Sequence, residues 1–207
     1  MQEEANKERV EGTRIFFTGV GGQGTLLATR LVGEAALEEG LPVTVSEIHG
    51  MAQRGGVVES SVVMGALESP TIADGEADIL LAFEPLEALR ALSKCHSRTR
   101  VVTNTVSVIP FSVATGKARY PSLEDILDSM RGKVASVFPL DASKAAREAG
   151  TERAANVVMV GALAGMSLLP IGDGSWRKAL EKIVPRRFLE VNLEAFSRGL
   201  QAGSGAE

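Results

Sequence analysis

The chain has 207 residues, 44% of them hydrophobic and 4% aromatic, and its 22 Lys and Arg against 26 Asp and Glu give a formal net charge of −4. That length supports one sizeable core, and an acidic balance without a long basic run argues against a nucleic-acid partner. No stretch reaches the roughly 18 uninterrupted apolar residues of a membrane span, and segment 1–11 lacks the apolar region of a signal peptide, so no membrane association and a cytoplasmic location are expected.

The first apolar strand is predicted at 14–18. It runs into Gly19-Val20-Gly21-Gly22-Gln23-Gly24 and then into an amphipathic helix from Thr25 to Glu38. The chain must turn sharply there. Glycine permits the turn and leaves backbone N–H groups at the positive end of a helix dipole, where an anion is favoured. Further strands are predicted at 43–47 and 57–64, joined by a loop too short for a helical crossover, so these two should pair antiparallel. The second of them sets Val58, Val62 and Met64 against Glu59 and Ser61, which predicts one polar face. Strands at 79–83, 101–104 and 134–138 complete the set.

The helices carry clearer punctuation. Glu84-Pro85 opens one that ends near Lys94, with Leu86, Leu89 and Leu92 at helical spacing. Ser122, followed by Asp125, caps another that should stop at Gly132. Asp141 precedes a short helix ended by Gly150. Residues 152–168 form an almost uncharged helix, apolar all round, that should be buried on most sides or pack against another chain. Two amphipathic helices, 175–184 and 187–201, close the domain, and the end at Gly203-Ser204-Gly205 is expected to be disordered. Helices alternating with strands predict an α/β chain, a three-layer α/β/α domain on a mostly parallel mixed sheet, Rossmann-like. It is expected to be one domain at 13–201 between flexible tails at 1–12 and 202–207.

Few side chains could carry chemistry. Gly19, Gly21 and Gly24 match the dinucleotide spacing G-x-G-x-x-G between a strand and a helix, and Glu47 closes the second strand near where a ribose-binding carboxylate is expected. Gly22 and Gln23 loosen that fit, and a tight turn with nothing bound accounts for the same residues. The string from Glu47 to Gly56 gathers an acceptor, a titratable ring, an amide and a cation in Glu47, His49, Gln53 and Arg54, flanked by Gly55 and Gly56. Such a loop can clamp a phosphate or carboxylate or face another subunit. No acid or nucleophile completes a catalytic set, so no catalytic residue is assigned. With two histidines, His49 and His96, and one cysteine, Cys95, no zinc-type spacing exists, no internal disulfide can form, and a self-contained iron–sulfur cluster of about four thiolates is excluded. Gly172-Asp173-Gly174 with Asn192 is similar to the GDG…N element that holds the magnesium and diphosphate of thiamine enzymes. The spacing to Asn192 is too short, so it reads as a helix-to-helix turn.

Taken together, Gly19–Gly24, the string Ser46 to Gly56, the segment Ala77 to Ala88 and Asn156 before Gly161 resemble the gamma domain of 2-oxoacid:ferredoxin oxidoreductases, in particular the beta subunit of the indolepyruvate enzymes. The resemblance covers most of 14–200. It implies a subunit of a complex that oxidatively decarboxylates a 2-oxoacid (an indolepyruvate, pyruvate or other ketoacid) to an acyl-CoA. Thiamine diphosphate, Mg2+ and iron–sulfur clusters would lie in larger partner subunits, coenzyme A would be co-substrate and ferredoxin the electron acceptor. This chain would assist assembly or ligand binding and be inactive alone. Two other readings stay open on the residues themselves: a free-standing NAD(P)-binding oxidoreductase, and a ligand-binding α/β module without redox function.

Overall fold

A computed structural model describes residues 12–49, 56–65 and 69–205. Its six strands are β1 (Thr13–Val20), β2 (Val43–His49), β3 (Val57–Met64), β4 (Ala77–Ala82), β5 (Cys95–Asn104) and β6 (Ser136–Leu140). They form one sheet in the order β2-β3-β1-β4-β5-β6. The β1–β4, β4–β5 and β5–β6 pairs are parallel, while β3 runs antiparallel to both its neighbours. The expected mixed, mostly parallel sheet and the antiparallel pairing of the second and third strands are both present.

The helices are α1 (Thr25–Glu38), α2 (Pro85–Arg90), α3 (Phe111–Ala114), α4 (Leu123–Arg131), α5 (Ala142–Ala149), α6 (Ala155–Gly165), α7 (Asp173–Ile183) and α8 (Arg186–Ser204). Three start where the sequence placed a cap. The Glu84 carboxylate accepts from Glu87 N–H, Ser122 Oγ from Asp125 N–H and Asp141 Oδ1 from Lys144 N–H, each satisfying an otherwise orphan first-turn donor. Because side chains alternate along a strand, β1 sends Ile15 and Phe17 to a core shared with α1 and α5–α8. Phe16 goes to the opposite core, shared with α2 and α4. Three layers result.

Two expectations need correction, and a third, left between two alternatives, is resolved. β3 has no polar face over its second half: Ser60 through Met64 are all buried, because Ser61 Oγ donates to Pro70 O at 2.6 Å and Ile72 joins Val63 in the second core. The apolar helix, expected to be buried on most sides or to pack against another chain, is buried within this one, Asn156 through Leu163 lying in the core. Gly161 and Gly165 face the α8 backbone, where an added Cβ would meet Phe196 O at 2.2 Å and Leu200 O at 2.1 Å, so α6 is consumed by its own partner helix. The reciprocal contact explains the second difference. Gly203 lies against Ala162 O, at 2.1 Å from a notional Cβ, and this packing carries α8 on through Ser204 in place of the disordered end.

Candidate functional site

The carboxyl ends of β1 and β4 mark the point where the chain changes face, since β1 feeds α1 on one side of the sheet and β4 feeds α2 on the other. Open α/β sheets place ligands in the crevice outside such a switch point. The Gly19–Gly24 turn sits on it. Gly24 is the N-cap of α1 in a left-handed conformation, φ 79°, and supplies no side-chain cap. A Cβ there would lie 2.4 Å from Asn156 Nδ2, so both conformation and space require glycine. Gly22, at φ 107°, projects into open space.

Gln23 is the latch of this turn. Its Oε1 accepts from Val20 N–H at 2.7 Å and its Nε2 donates to Phe83 O at 3.0 Å, tying the end of β1 to the end of β4. Asn104, at the end of β5, donates to the same Phe83 carbonyl at 3.2 Å, and its Oδ1 accepts from Ala142 N–H at 3.1 Å at the head of α5. Asn156, on α6, reaches across to donate to Gly24 O at 3.2 Å. Its Oδ1 is buried without a hydrogen-bond partner, as is Thr25 Oγ1. A crevice of about 230 Å3 opens here, lined among others by Gly22, Gln23, Asn104, Ser143, Arg153 and Asn156.

One wall of the crevice rests on Glu84, which is 1% exposed. Its Oε1 accepts from Val108 N–H at 3.1 Å and from the Tyr120 hydroxyl. Burial, then the bond to Glu84, pushes the Tyr120 phenol up to about 12, so it stays a donor. Neighbouring Glu87 is raised chiefly by burial, with Arg90 Nη1 at 2.5 Å opposing. The sequence marked Glu84 only as a helix opener and did not mark Asn104. The available signal was a lone amide closing an apolar strand.

The two glycine-rich turns do meet: Gly21 N–H donates to Gly56 O at 2.8 Å. The rest of the second string stands elsewhere. β3 lies between β2 and β1, with Glu47 opposite Ser60 and Ser60 opposite Phe17. Glu47 is therefore level with the middle of β1 and two strand spacings away, about 10 Å. A ribose carboxylate must stand beside the glycine turn, so the dinucleotide fingerprint lacks its acidic member. His49 ends β2 opposite Val58, which pairs with Gly19; its side chain lies outside the described residues, as do Gln53, Arg54 and Gly55.

Two of the implied cofactor sites can be tested against residues of this chain. A cysteine-ligated cluster takes about four thiolates, and Cys95 is the single cysteine. Gly172-Asp173-Gly174 forms the start of α7, Gly172 N–H donating to Glu39 Oε2 at 2.9 Å, while the amide of Asn192 donates to Phe188 O at 2.8 Å within α8. This is the helix-to-helix turn expected. Among the described residues no group of three or more His, Cys, Asp or Glu could hold a metal, and no helix is long and apolar enough to cross a membrane.

Comparison with known proteins agrees with this architecture. The indolepyruvate oxidoreductase subunit IorB of Archaeoglobus fulgidus is 41% identical over 192 residues, covering 92% of this chain and 96% of the relative. IorB of Methanothermobacter thermautotrophicus is 40% identical over 190 residues, covering 92% and 97%. The crystal structure of a keto/oxoacid ferredoxin oxidoreductase gamma subunit from Geobacter sulfurreducens superposes with a TM-score of 0.67 at 26% identity, covering 94% of this chain and 99% of that one. The family model described as pyruvate ferredoxin/flavodoxin oxidoreductase matches residues 14–202, and the chain belongs to that family.

Proposed function

We propose that this chain is a subunit of a 2-oxoacid:ferredoxin oxidoreductase of the indolepyruvate type, converting a 2-oxoacid and coenzyme A to an acyl-CoA and CO2 with electrons passed to ferredoxin. The observation that carries this reading is about 40% identity along nearly the whole of both chains to IorB subunits. Thiamine diphosphate, Mg2+ and iron–sulfur clusters are assigned to larger partner subunits, a reading supported by the single cysteine of this chain and by the helix-turn setting of its Gly172-Asp173-Gly174 run. Its own contribution is to bind and to hold shape. The Gly19, Gly21, Gly22, Gln23, Gly24 turn presents the uncapped N-terminus of α1 to the phosphates of coenzyme A, a placement the helix dipole favours. The unpaired Asn156 Oδ1 beside it accepts an N–H of the same ligand. Glu47, His49, Gln53, Arg54, Gly55 and Gly56 serve as the contact to the larger subunit.

The test is recovery of the tagged chain from its native host under anaerobic conditions, with assay of what accompanies it for thiamine diphosphate, iron and acid-labile sulfide. A larger cluster-bearing partner with 2-oxoacid-dependent acceptor reduction is the expected result. A chain that comes down alone and binds NAD(H) overturns the proposal. Arg54→Ala should release the partner or the phosphate ligand, and wild-type retention of both removes that residue from the site.

A further inference from the structure

A second cavity, of about 500 Å3, adjoins the crevice of the glycine turn at Arg153 and falls within the roughly 300–1,000 Å3 typical of small-molecule pockets. Its walls are mostly apolar: Leu27, Ala154, Val184, Pro185, Phe188 and Val191. Gly150, which ends α5 with φ 120°, forms part of its wall, and a Cβ there would be strained and lie 3.2 Å from Val191 Cγ2. Phe188 is 46% exposed, with the Arg187 guanidinium 4.6 Å over its ring. Such a half-exposed ring beside an open apolar cavity is surface that an apolar body would cover.

One charge lines the cavity, and it is positive. Arg153 contributes to this cavity and also to the crevice of the glycine turn. Its neighbour Glu152 is committed to Arg147 at 3.0 Å. No ion pair is formed by the Arg153 guanidinium among the described residues, and one N–H of the Asn192 amide is given to Phe188 O. A planar fork of donors at an apolar cavity selects a carboxylate over a neutral or cationic group. We infer that this cavity binds a small organic anion with a flat apolar body, an aromatic carboxylate, its ring against Val184, Phe188 and Val191 and its carboxylate on Arg153. The inference rests on cavity shape and charge alone, so it stands or falls separately from the subunit assignment.

Indole-3-acetate is a suitable probe, titrated into the full chain while the methyl resonances of Leu27, Val184 and Val191 are followed by NMR. Saturable shifts at these methyls are expected, with affinity weakened about tenfold by Arg153→Gln, the loss of one charge-assisted contact. Tryptophol, which keeps the ring and replaces the carboxylate by a hydroxyl, should bind the wild type about tenfold more weakly and be indifferent to Arg153→Gln. Val191→Trp should fill the cavity and abolish the shifts; if that variant fails to fold by circular dichroism, the exposed-site Arg153→Gln and the tryptophol comparison decide. Absence of saturable shifts up to about 10 mM, or equal binding of the two probes, overturns the inference. So does loss of the response in the assembled complex, which would make the cavity a seat for the larger subunit.

Discussion

Replacing Gln23 by methionine keeps the length of the side chain and removes both of its hydrogen bonds, so it isolates the latch from the packing. Val20, 9% exposed, would then carry a buried N–H without the partner it now has at 2.7 Å, a cost of about 1–3 kcal/mol. Phe83 O loses less, because Asn104 still donates to it at 3.2 Å. A total near 2 kcal/mol follows, which for a domain of this size lowers Tm by about 4–8 °C. Asn104→Ala costs about 2–4 kcal/mol, since it also strips Ala142 N–H of its acceptor. In the double variant Phe83 O, on a residue 3% exposed, loses both side-chain donors, so the combined loss should exceed the sum by about 1 kcal/mol. Urea unfolding followed by circular dichroism measures all four proteins, with an unchanged denaturant slope as the check on two-state behaviour. A cost below about 0.5 kcal/mol for Gln23→Met, or strict additivity, would refute the argument, since it would mean that water replaces the amide at both groups.

Gly161→Ala should lower stability by about 3 kcal/mol or more, because the new methyl meets backbone at 2.2 Å and backbone cannot give way; Gly174→Ala, in the first turn of α7 with open space around it, should raise stability by up to about 1 kcal/mol in the same thermal melts. The Glu39 carboxyl is held below its ordinary range first by Gly172 N–H, then by Ser175. Its contribution is therefore present above the unfolded pKa and lost as pH falls through the folded one, and the stability gap between wild type and Glu39→Gln, seen at neutral pH by urea melts, should close on acidification. Burial pushes the Cys95 thiol from 9.0 to about 11, so its thiolate is about 100-fold scarcer than that of a free cysteine. Labelling by a disulfide reagent at pH 8 should be slow in the folded chain and fast in denaturant.

The local signals in the sequence translated well. Ser122 with Asp125, Asp141 with Gly150, and Glu84-Pro85 each sit at the helix end they announced, because a cap is a contact over three residues. The crevice was legible only in part for the opposite reason. Gln23 finds its acceptor 60 positions away and Asn156 finds Gly24 at 132, separations at which no spacing rule operates. Gly161 and Gly165 permit a close approach, but no local signal says that the approaching backbone is the chain's own α8, with Gly199 and Gly203 as the matching notches.

The strand order explains why the dinucleotide spacing of glycines is present without Glu47 beside it. In the binding arrangement the strand bearing the acidic residue lies directly beside the strand that feeds the glycine turn, so the carboxylate reaches a ribose whose phosphates rest on that turn. Here the chain reverses after β2 and inserts β3 between β2 and β1, a move available because the 50–56 connection is too short for a crossover helix. The reversal carries Gly56 to the glycine turn, where its carbonyl occupies Gly21 N–H, and it carries Glu47 away. One insertion thus removes the acidic partner and ties up one turn N–H, while the N-terminus of α1 stays uncapped. What remains is an uncapped helix N-terminus beside a glycine turn whose expected acidic partner, Glu47, stands elsewhere, and under the proposed function that terminus receives the phosphates of coenzyme A.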